Sequence, residues 1–283
     1  MDNPKPAGYQ RRKWLNRVML GLGGLAAGLA IILVCLILGY ILVKGAAYLN
    51  LDFLTQGAAA PGAPGGGMRN EIIGTLILVA LGSAMAIPIG LLAGIYLSEF
   101  SGPRTVAAVR FSADILAGVP SIVVGIFVYA ILVRPMHSFS ALSAGVALSI
   151  IMIPIVARTT EESMRLVPIS MREAALALGI TRWRAVVSVV IPGALTGVTT
   201  GAMLGVARIA GETAPLLFTA LGSTFGYNGL SKPIGALPLQ IYRYATSPYQ
   251  DWQQQAWAGA FLLIVLVLFI SIAIRWLTRS RQR

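Results

Sequence analysis

Arg208 and Glu212 carry opposite charges and lie four positions apart in the stretch GVARIAGETAPLL, residues 205–217. The residues around them are apolar enough to cross a bilayer, where an unpaired arginine costs about 2.5–3.5 kcal/mol on insertion scales. Side chains four positions apart on a helix are neighbours, so the sequence predicts that the two charges pair. This pairing offsets much of the cost of placing Arg208 in hydrocarbon.

Two uses of this pair fit the sequence. In the first, Arg208 and Glu212 only tie their helix to its neighbours. In the second, Arg208 lies beside an aqueous route and meets an anion, because a guanidinium donates two parallel hydrogen bonds to a tetrahedral oxyanion. Glu212 then orients the guanidinium and limits how tightly the anion binds. Ionisable residues within membrane spans are functional by default, which favours the second use.

The residues that follow the pair predict a break in the helix. Pro215 lacks a backbone donor, so the helix is expected to be disrupted near Gly211. Polar backbone groups freed at that depth need water or a ligand. Thr213 lies among them, and we include it with Arg208 and Glu212 as a candidate residue of a substrate pathway.

Three glycines, Gly197, Gly201 and Gly205, precede the pair at four-residue spacing. At about 100° per residue they share an arc of about 80° with the two charges. Glycines at this spacing let a neighbouring helix approach closely, so we expect these three to serve helix packing. The charges then point into a protein interface or an aqueous passage, and away from lipid.

The composition requires that these residues be held by apolar helices. Of the 283 residues, 57% are hydrophobic and 11% are charged, and the mean hydropathy is +0.78. The period-2 alternation of barrel strands is absent, which predicts an all-α membrane protein, a polytopic bundle of about six transmembrane helices. The predicted spans are about 18–43, 72–97, 111–133, 139–158, 191–222 and 256–277.

The basic residues indicate orientation in the bilayer. A net charge of +12 is compatible with nucleic-acid binding, but the cations lie at the ends of apolar blocks, so we expect a lipid bilayer and no nucleic acid as partner. By the positive-inside rule both termini are cytoplasmic, which makes 1–17 a basic cytoplasmic tail and 278–283 a second one. Residues 44–71, with the run TQGAAAPGAPGGG, are expected to be a flexible external linker. Residues 72–277 then form the core.

Several other polar segments receive structural predictions. Glu161 and Glu162 are expected to be solvated at the start of a cytoplasmic loop, and Asp114 is expected to pair with Arg110 one turn earlier. Pro120 is expected to kink its helix. The external segment LPLQIYRYATSPYQDW, within 223–255, has an amphipathic pattern, which fits either the membrane interface or a docking surface for an external partner.

The sequence offers no set of residues for an enzyme. Cys35 and His137 are each the single residue of their type, so no metal-ligand spacing and no intrachain disulfide exists. No nucleophile can be matched with a base, and no glycine-rich loop with a lysine is present to hold a nucleotide phosphate. We therefore expect no cofactor in this chain and assign any ATP hydrolysis to another polypeptide.

The loop at about 159–190 carries the clearest local signals. Ser170 and Glu173 have the spacing of a capping box, and Gly179 provides a C-terminal stop, so the sequence predicts a helix of about two turns. Such a short helix is not stable alone, so its apolar residues must be buried. Thr181 is expected to cap a second helix. The element is either an elbow on the inner leaflet or a docking site for a partner.

The same loop resembles the EAA signature of the membrane subunits of bacterial ABC importers. Glu173, Ala174, Ala175 and Gly179 match the signature, and it continues through the apolar run 189–191 to Pro192. The chain has valine at 189 and isoleucine at 191, where the pattern usually has isoleucine and leucine. The resemblance implies that this short helix is a coupling helix, which sits in a groove of a separate ATPase subunit.

A longer stretch, from about 70 to the C-terminus, resembles A-type permease subunits of bacterial phosphate importers. The resemblance is carried by ARIAGETAPLLFTALG, LAGVPSIVVGIFVYAIL and LPLQIYRYATSP. It implies the type I ABC importer permease fold, location in the bacterial inner membrane, and phosphate passage along Arg208 and Glu212. The implied partners are a homologous C-type permease subunit, a cytoplasmic ATPase dimer that uses ATP, and a periplasmic phosphate-binding protein.

Other functions remain open from the residues alone. One guanidinium accepts sulfate or molybdate as readily as phosphate. An ion-coupled secondary anion transporter is the main alternative, in which Glu212 binds and releases a proton, although such proteins often contain internal repeats and none is evident. A membrane scaffold or sensor without transport is a third possibility.

Overall fold

The computed structural model describes residues 8–63, 65–100 and 102–279. Residues 1–7 of the expected basic tail and residues 280–283 of the expected C-terminal tail lie outside this range. The described part of the chain is helical, and its β-structure consists of one isolated bridge between Leu221 and Ile234. The predicted all-α class is confirmed.

Thirteen α-helices follow one another in the described residues. They are α1 (Tyr9–Ala46), α2 (Leu51–Thr55), α3 (Arg69–Glu99), α4 (Pro103–Gly118), α5 (Ser121–Val128), α6 (Arg134–Met136), α7 (Ala141–Arg165), α8 (Ile169–Ala177), α9 (Arg182–Ala185), α10 (Ile191–Ala210), α11 (Ala214–Thr219), α12 (Leu237–Ala245) and α13 (Gln250–Arg279). Two π-helical turns, Tyr129–Val133 and Val186–Val190, join α5 to α6 and α9 to α10.

Five helical segments of the described chain are long and apolar enough to span a membrane, and a bent pair of helices is either a sixth, broken span or a re-entrant loop. The bent pair joins Arg104–Gly118 to Ser121–Met136 at an angle of 98°. A single straight span at 111–133 is therefore wrong, and the expected kink at Pro120 is a full break. Val119 has extended backbone, as the clash with a following proline ring requires, so the helix stops there.

The core lies between α3, α7 and α10. Along α3, a Cβ added at Gly90 would come within 2.7 Å of the Cβ of Val156, and one added at Gly94 within 2.6 Å of the Cβ of Thr160. These distances place α3 directly against α7. The apolar side chains at this junction are fully buried, including Leu78, Leu148, Met152 and Ile209. The structure thus has a closely packed central pair of helices, α3 and α7, with α10 beside it.

Helix α1 stands largely apart from this core, and its apolar surface is exposed. It packs on α13, where Gly45 lies against the side chain of Phe261 and the carbonyl of Trp257. The rings of Tyr40 and Trp257 meet edge to face with centroids 5.1 Å apart. The first and the last helices of the chain are therefore neighbours.

The segment 44–71 is more structured than its composition predicts. Asn50 caps α2, since its Oδ1 accepts from the N–H of Phe53 at 2.7 Å. The Phe53 carbonyl accepts from the N–H of Met68 at 2.8 Å, and both side chains are buried. The expectation of a flexible linker is wrong at these two ends, because two large apolar residues flank the small-residue run and anchor it in the core.

Helix α12 lies in the segment LPLQIYRYATSPYQDW, which was expected either to rest on the membrane interface or to dock an external partner. Its apolar face is instead buried within the chain, with Leu237, Leu239 and Tyr244 in the core. The N–H of Leu237 donates to Oγ1 of Thr75 on α3 at 2.8 Å, which fixes the start of the helix. Burial raises the pKa of the Tyr244 phenol, so this hydroxyl stays neutral. Only the opposite face, with Tyr242, remains exposed.

Candidate functional site

The charged pair lies at the end of α10. Nε of Arg208 is 3.1 Å from Oε1 of Glu212. The side chain of Arg208 is 60% exposed and that of Glu212 is 12% exposed. The carboxylate is therefore recessed and holds one edge of the guanidinium, while Nη1 and Nη2 make no hydrogen bond within the described residues. Two parallel donors on the outer edge remain available to an anion.

The helix breaks between the pair and α11. Helix α10 ends at Ala210, Gly211 follows, and α11 begins at Ala214 with Pro215 in its first turn. Glu212 therefore lies beyond the helix rather than on its face, and its N–H donates to the carbonyl of Ile209 at 3.3 Å. Thr213 precedes α11 and is half-buried, with no side-chain hydrogen bond that caps the helix.

The break after α10 and the half-helix that follows the bend at Pro120 meet at this point. A Cβ added at Gly125 of α5 would lie 2.7 Å from Cα of Pro215, so α11 packs against the half-helix that follows the bend at Pro120. Non-helical backbone at membrane depth is tolerated only where it is buried in protein or lines a water-filled cavity. Gly211 is exposed and no atom lies within 4 Å of its added Cβ, so its backbone faces open space in this chain.

The three glycines of α10 face α7. Added Cβ atoms at Gly197 and Gly201 would overlap the side chains of Ser163 and Thr159. At Gly205 the added Cβ would lie 2.9 Å from Cγ and Cε of Met152. The glycine face of α10 thus lies directly on α7.

The short helix of the 159–190 loop is α8, with the expected length of about two turns. Gly179 has φ +76° and follows it. The Gly179 N–H donates to the Leu176 carbonyl at 2.9 Å, and the Ile180 N–H donates to the Ala175 carbonyl at 3.2 Å. This pair of bonds is the Schellman motif, so Gly179 ends the helix as the sequence predicted.

The expected N-cap is wrong. Helix α8 begins at Ile169, and Pro168 occupies the N-cap position without a side-chain hydrogen bond. Ser170 is therefore already inside the first turn and cannot form a capping box with Glu173. Pro168 fixes its own φ at −55° and sets the start of the helix. Thr181 does occupy the N-cap position of α9, although its hydroxyl makes no cap bond.

The outward surface of this loop is apolar and accessible. Ala175 is buried, whereas Glu173 and Ala174 are exposed. Leu166, Ile169 and Leu178 are the most exposed large apolar side chains here, and Leu166 is 83% exposed. The expected burial of the apolar side of α8 is therefore incomplete within this chain. Large exposed apolar patches mark interaction sites.

Sequence reasoning missed a second group of charges beneath this loop. Arg172 of α8 donates through Nη2 to Oε1 of Glu99 at 2.8 Å, and Glu99 is buried at the end of α3. The two residues are 73 positions apart. The sequence shows an acidic residue, Glu99, at the very end of an apolar span, but this position alone does not indicate which cation pairs with it.

Two expectations for charged residues on α4 and α7 are wrong. Glu161 is buried, and its Oε1 accepts from Arg110 and lies 3.0 Å from Nη2 of Arg165. Asp114 pairs with Arg158 and not with Arg110. Both ion pairs cross from α4 to α7, because α4 lies beside the end of α7 and offers partners outside its own helix.

Comparison with known proteins identifies the family. The model of a family described as "Binding-protein-dependent transport system inner membrane component" matches residues 86–283. The chain belongs to this family. It is thus a multi-pass permease of the inner membrane, and permeases of this family are not themselves catalytic.

Relatives of known name extend the match to nearly the whole chain. A protein of Haemophilus influenzae, named phosphate transport system permease protein PstA, is 43% identical over 265 residues, covering 93% of this chain and 94% of the relative. A Mycobacterium tuberculosis protein, phosphate transport system permease protein PstA 1, is 35% identical over 223 residues, which cover 77% of this chain and 72% of the relative.

Solved structures of two ABC transporters share the fold. The inward-facing MetNI methionine ABC transporter matches with a TM-score of 0.62 and 23% identity, over 76% of this chain and 97% of the other. A bacterial ABC transporter involved in the import of the acidic polysaccharide alginate matches with a TM-score of 0.63 and 16% identity. The match covers 96% of this chain and 98% of the other. The predicted permease fold of ABC importers is confirmed.

Proposed function

We propose that this chain is the membrane permease subunit of an ATP-driven inorganic phosphate importer and forms half of its translocation pathway. The observation that carries the proposal is its identity of 43% over 93% of the chain to a phosphate transport permease. The geometry at Arg208 agrees with this function, because the outer edge of its guanidinium is free to bind a tetrahedral oxyanion.

The Arg208–Glu212 pair explains how phosphate could bind on its way through the permease without being held tightly. Glu212 neutralises Arg208 while the pathway is empty, which reduces the cost of a charge at this depth. When phosphate arrives, Arg208 binds it through Nη1 and Nη2, and the nearby carboxylate repels the anion and keeps the complex short-lived. Thr213, next to the helix break, adds a hydroxyl at the same point of the route.

The permease needs partners to move phosphate against a gradient. ABC importer permeases work with ATPase subunits and substrate-binding proteins. For this chain we infer a homologous C-type permease subunit, a cytoplasmic ATPase dimer that binds and hydrolyses ATP, and a periplasmic phosphate-binding protein. Both termini and the 159–190 loop then lie in the cytoplasm. The exposed surface of α8 around Glu173 and Ala174 docks in a groove of the ATPase, and Gly179 ends this helix.

Uptake of radioactive phosphate tests the pathway role in a strain lacking other phosphate carriers. Arg208→Gln should abolish uptake and leave the assembled complex intact, because the side chain is largely exposed and supports no core packing. Arg134→Gln, at another exposed arginine, is the matched control and should transport normally. Normal uptake by Arg208→Gln contradicts the role of Arg208.

The same system separates the alternative functions. Uptake by the purified chain alone in liposomes, driven by a pH gradient without ATP, indicates a secondary transporter instead. Competition with sulfate and molybdate tests which oxyanion is carried. Arg208 does not discriminate among them, so we expect the inferred phosphate-binding protein to select the anion and neither competitor to displace phosphate at equal concentration.

A further inference from the structure

Arg172 joins three elements at one point. Its Nη2 and Nε donate to Oε1 of Glu99 at 2.8 and 3.2 Å. Its Nη1 donates to the carbonyl of Val167 at 2.6 Å, and Nη2 also donates to the carbonyl of Met164 at 2.7 Å. The guanidinium of α8 therefore binds the end of α3 and the end of α7 together.

The location explains why a cation is needed there. The C-terminal end of a helix carries a partial negative charge, and here two such ends meet at a buried carboxylate, Glu99. Removing one partner of a buried ion pair leaves an uncompensated charge. Arg182 also donates to the backbone carbonyl of Glu99, and its guanidinium lies 5.4 Å from the ring centroid of Phe100. Arg172 and Arg182 thus hold the same helix end.

This contact gives α8 two mechanical connections to the bundle. One is the chain itself, which joins α8 to α7 through residues 166–168 and to α10 through α9 and the π-helical turn. The other is Arg172, which joins α8 to the end of α3, a helix that the chain does not connect to α8 directly. A helix attached only by the chain would transmit a push to α7 and α10, and to α3 only through them.

We propose that Arg172, acting through Glu99, is a positioning residue for the transport cycle. It makes α8 and the adjacent end of α3 move as one body, so that displacement of α8 by the ATPase reaches α3 directly as well as α7 and α10. This inference rests on the proposed function, because it needs an ATPase that pushes α8.

The test uses the complete complex of permeases, ATPase and binding protein in liposomes. ATP-driven phosphate uptake by the unaltered complex tests the proposed function by itself. Arg172→Gln combined with Glu99→Gln leaves no buried charge unpaired and should assemble normally. In this double variant and in both single variants, uptake and the stimulation of ATPase by the binding protein should fall about tenfold, within the 5–150-fold range of typical coupling. The double variant should be no worse than either single variant, since both break one link.

Two further variants separate positioning from stability. Arg184→Gln, at an exposed arginine of the same loop, is the control and should keep normal uptake. Arg172→Lys keeps a cation for Glu99 and should recover much of the uptake lost in Arg172→Gln. Normal uptake by Arg172→Gln, a loss of uptake that only follows a loss of assembled complex, or a lysine variant no better than glutamine would each overturn the proposal.

A distance measurement tests the shared movement with the ion pair intact. Spin labels at Tyr96→Cys on α3 and Ala177→Cys on α8, with Cys35→Ser, report the separation of two exposed sites. We expect the same separation in the nucleotide-free and ATP-bound complexes. A change larger than about one helical turn, 5.4 Å, shows that α8 moves independently of α3 and overturns the proposal.

Discussion

Substitution of the glycines on α10 by alanine should destabilise the protein in a graded order set by what each new methyl group meets. At Gly193 the added Cβ would lie 3.4 Å from Cγ2 of Val167, which is ordinary contact. At Gly205 it would lie 2.9 Å from atoms of Met152, a flexible side chain that can move aside. Gly193→Ala should therefore be nearly neutral and Gly205→Ala mildly destabilising.

Gly201→Ala should be the most severe of the three. Its methyl group would overlap Thr159, which is β-branched and is held by a hydrogen bond from Oγ1 to the Ile155 carbonyl at 2.8 Å. The side chain cannot rotate away, so α10 and α7 must separate. Overpacking of this kind costs about 1–3 kcal/mol.

Thermal unfolding of the purified complex in mild detergent measures the order. A change of 1 kcal/mol shifts the melting temperature by about 2–4 °C in a chain of this size class, so Gly201→Ala should lower it by about 2–12 °C. Gly193→Ala on the same helix is the matched control. Equal melting temperatures for the two variants would refute the conclusion that α10 and α7 touch at Gly201.

The remaining predictions concern two buried carboxylates, and both use thermal unfolding. Glu161→Gln should lower the melting temperature more than Asp114→Asn, because Glu161 is buried between two arginines while the Asp114 pair is solvent-exposed and contributes about 0–1 kcal/mol; equal losses would contradict this ranking. Glu71 is buried and neither carboxylate oxygen has a hydrogen-bond partner within the described residues, so Glu71→Gln should raise the melting temperature by about 2–4 °C. Glu162→Gln, at an exposed position, should leave it unchanged, and a decrease for Glu71→Gln would reveal a stabilising partner.

Local chemistry made part of the structure predictable. Gly179 ends α8 because a left-handed residue is needed there, and glycine alone adopts it without strain. The break near Gly211 follows from the missing donor of Pro215. Five spans follow from the length of the apolar blocks. Each of these features depends on residues within a few positions of one another.

The features that were missed depend on distant parts of the chain. Arg172 and Glu99 meet only because α8 folds back under the end of α3, and no periodicity encodes that contact. Glu161 was expected in solvent because its position in α7 looked terminal, whereas α4 covers it. The roles of Arg208, Glu212 and Thr213 in the pathway, and of the EAA residues in coupling, stay predictions until the variants are measured.

The pairing of α1 with α13 sets the order of events during synthesis. Translation delivers α1 to the membrane well before α13, so α1 cannot meet its neighbour until the helices between them have been made. Until α13 is made, α1 is surrounded by lipid and needs an apolar surface on all sides, and its sequence provides one. A ribosome that stops early therefore leaves an inserted but solitary anchor, with Gly45 facing acyl chains where Phe261 belongs.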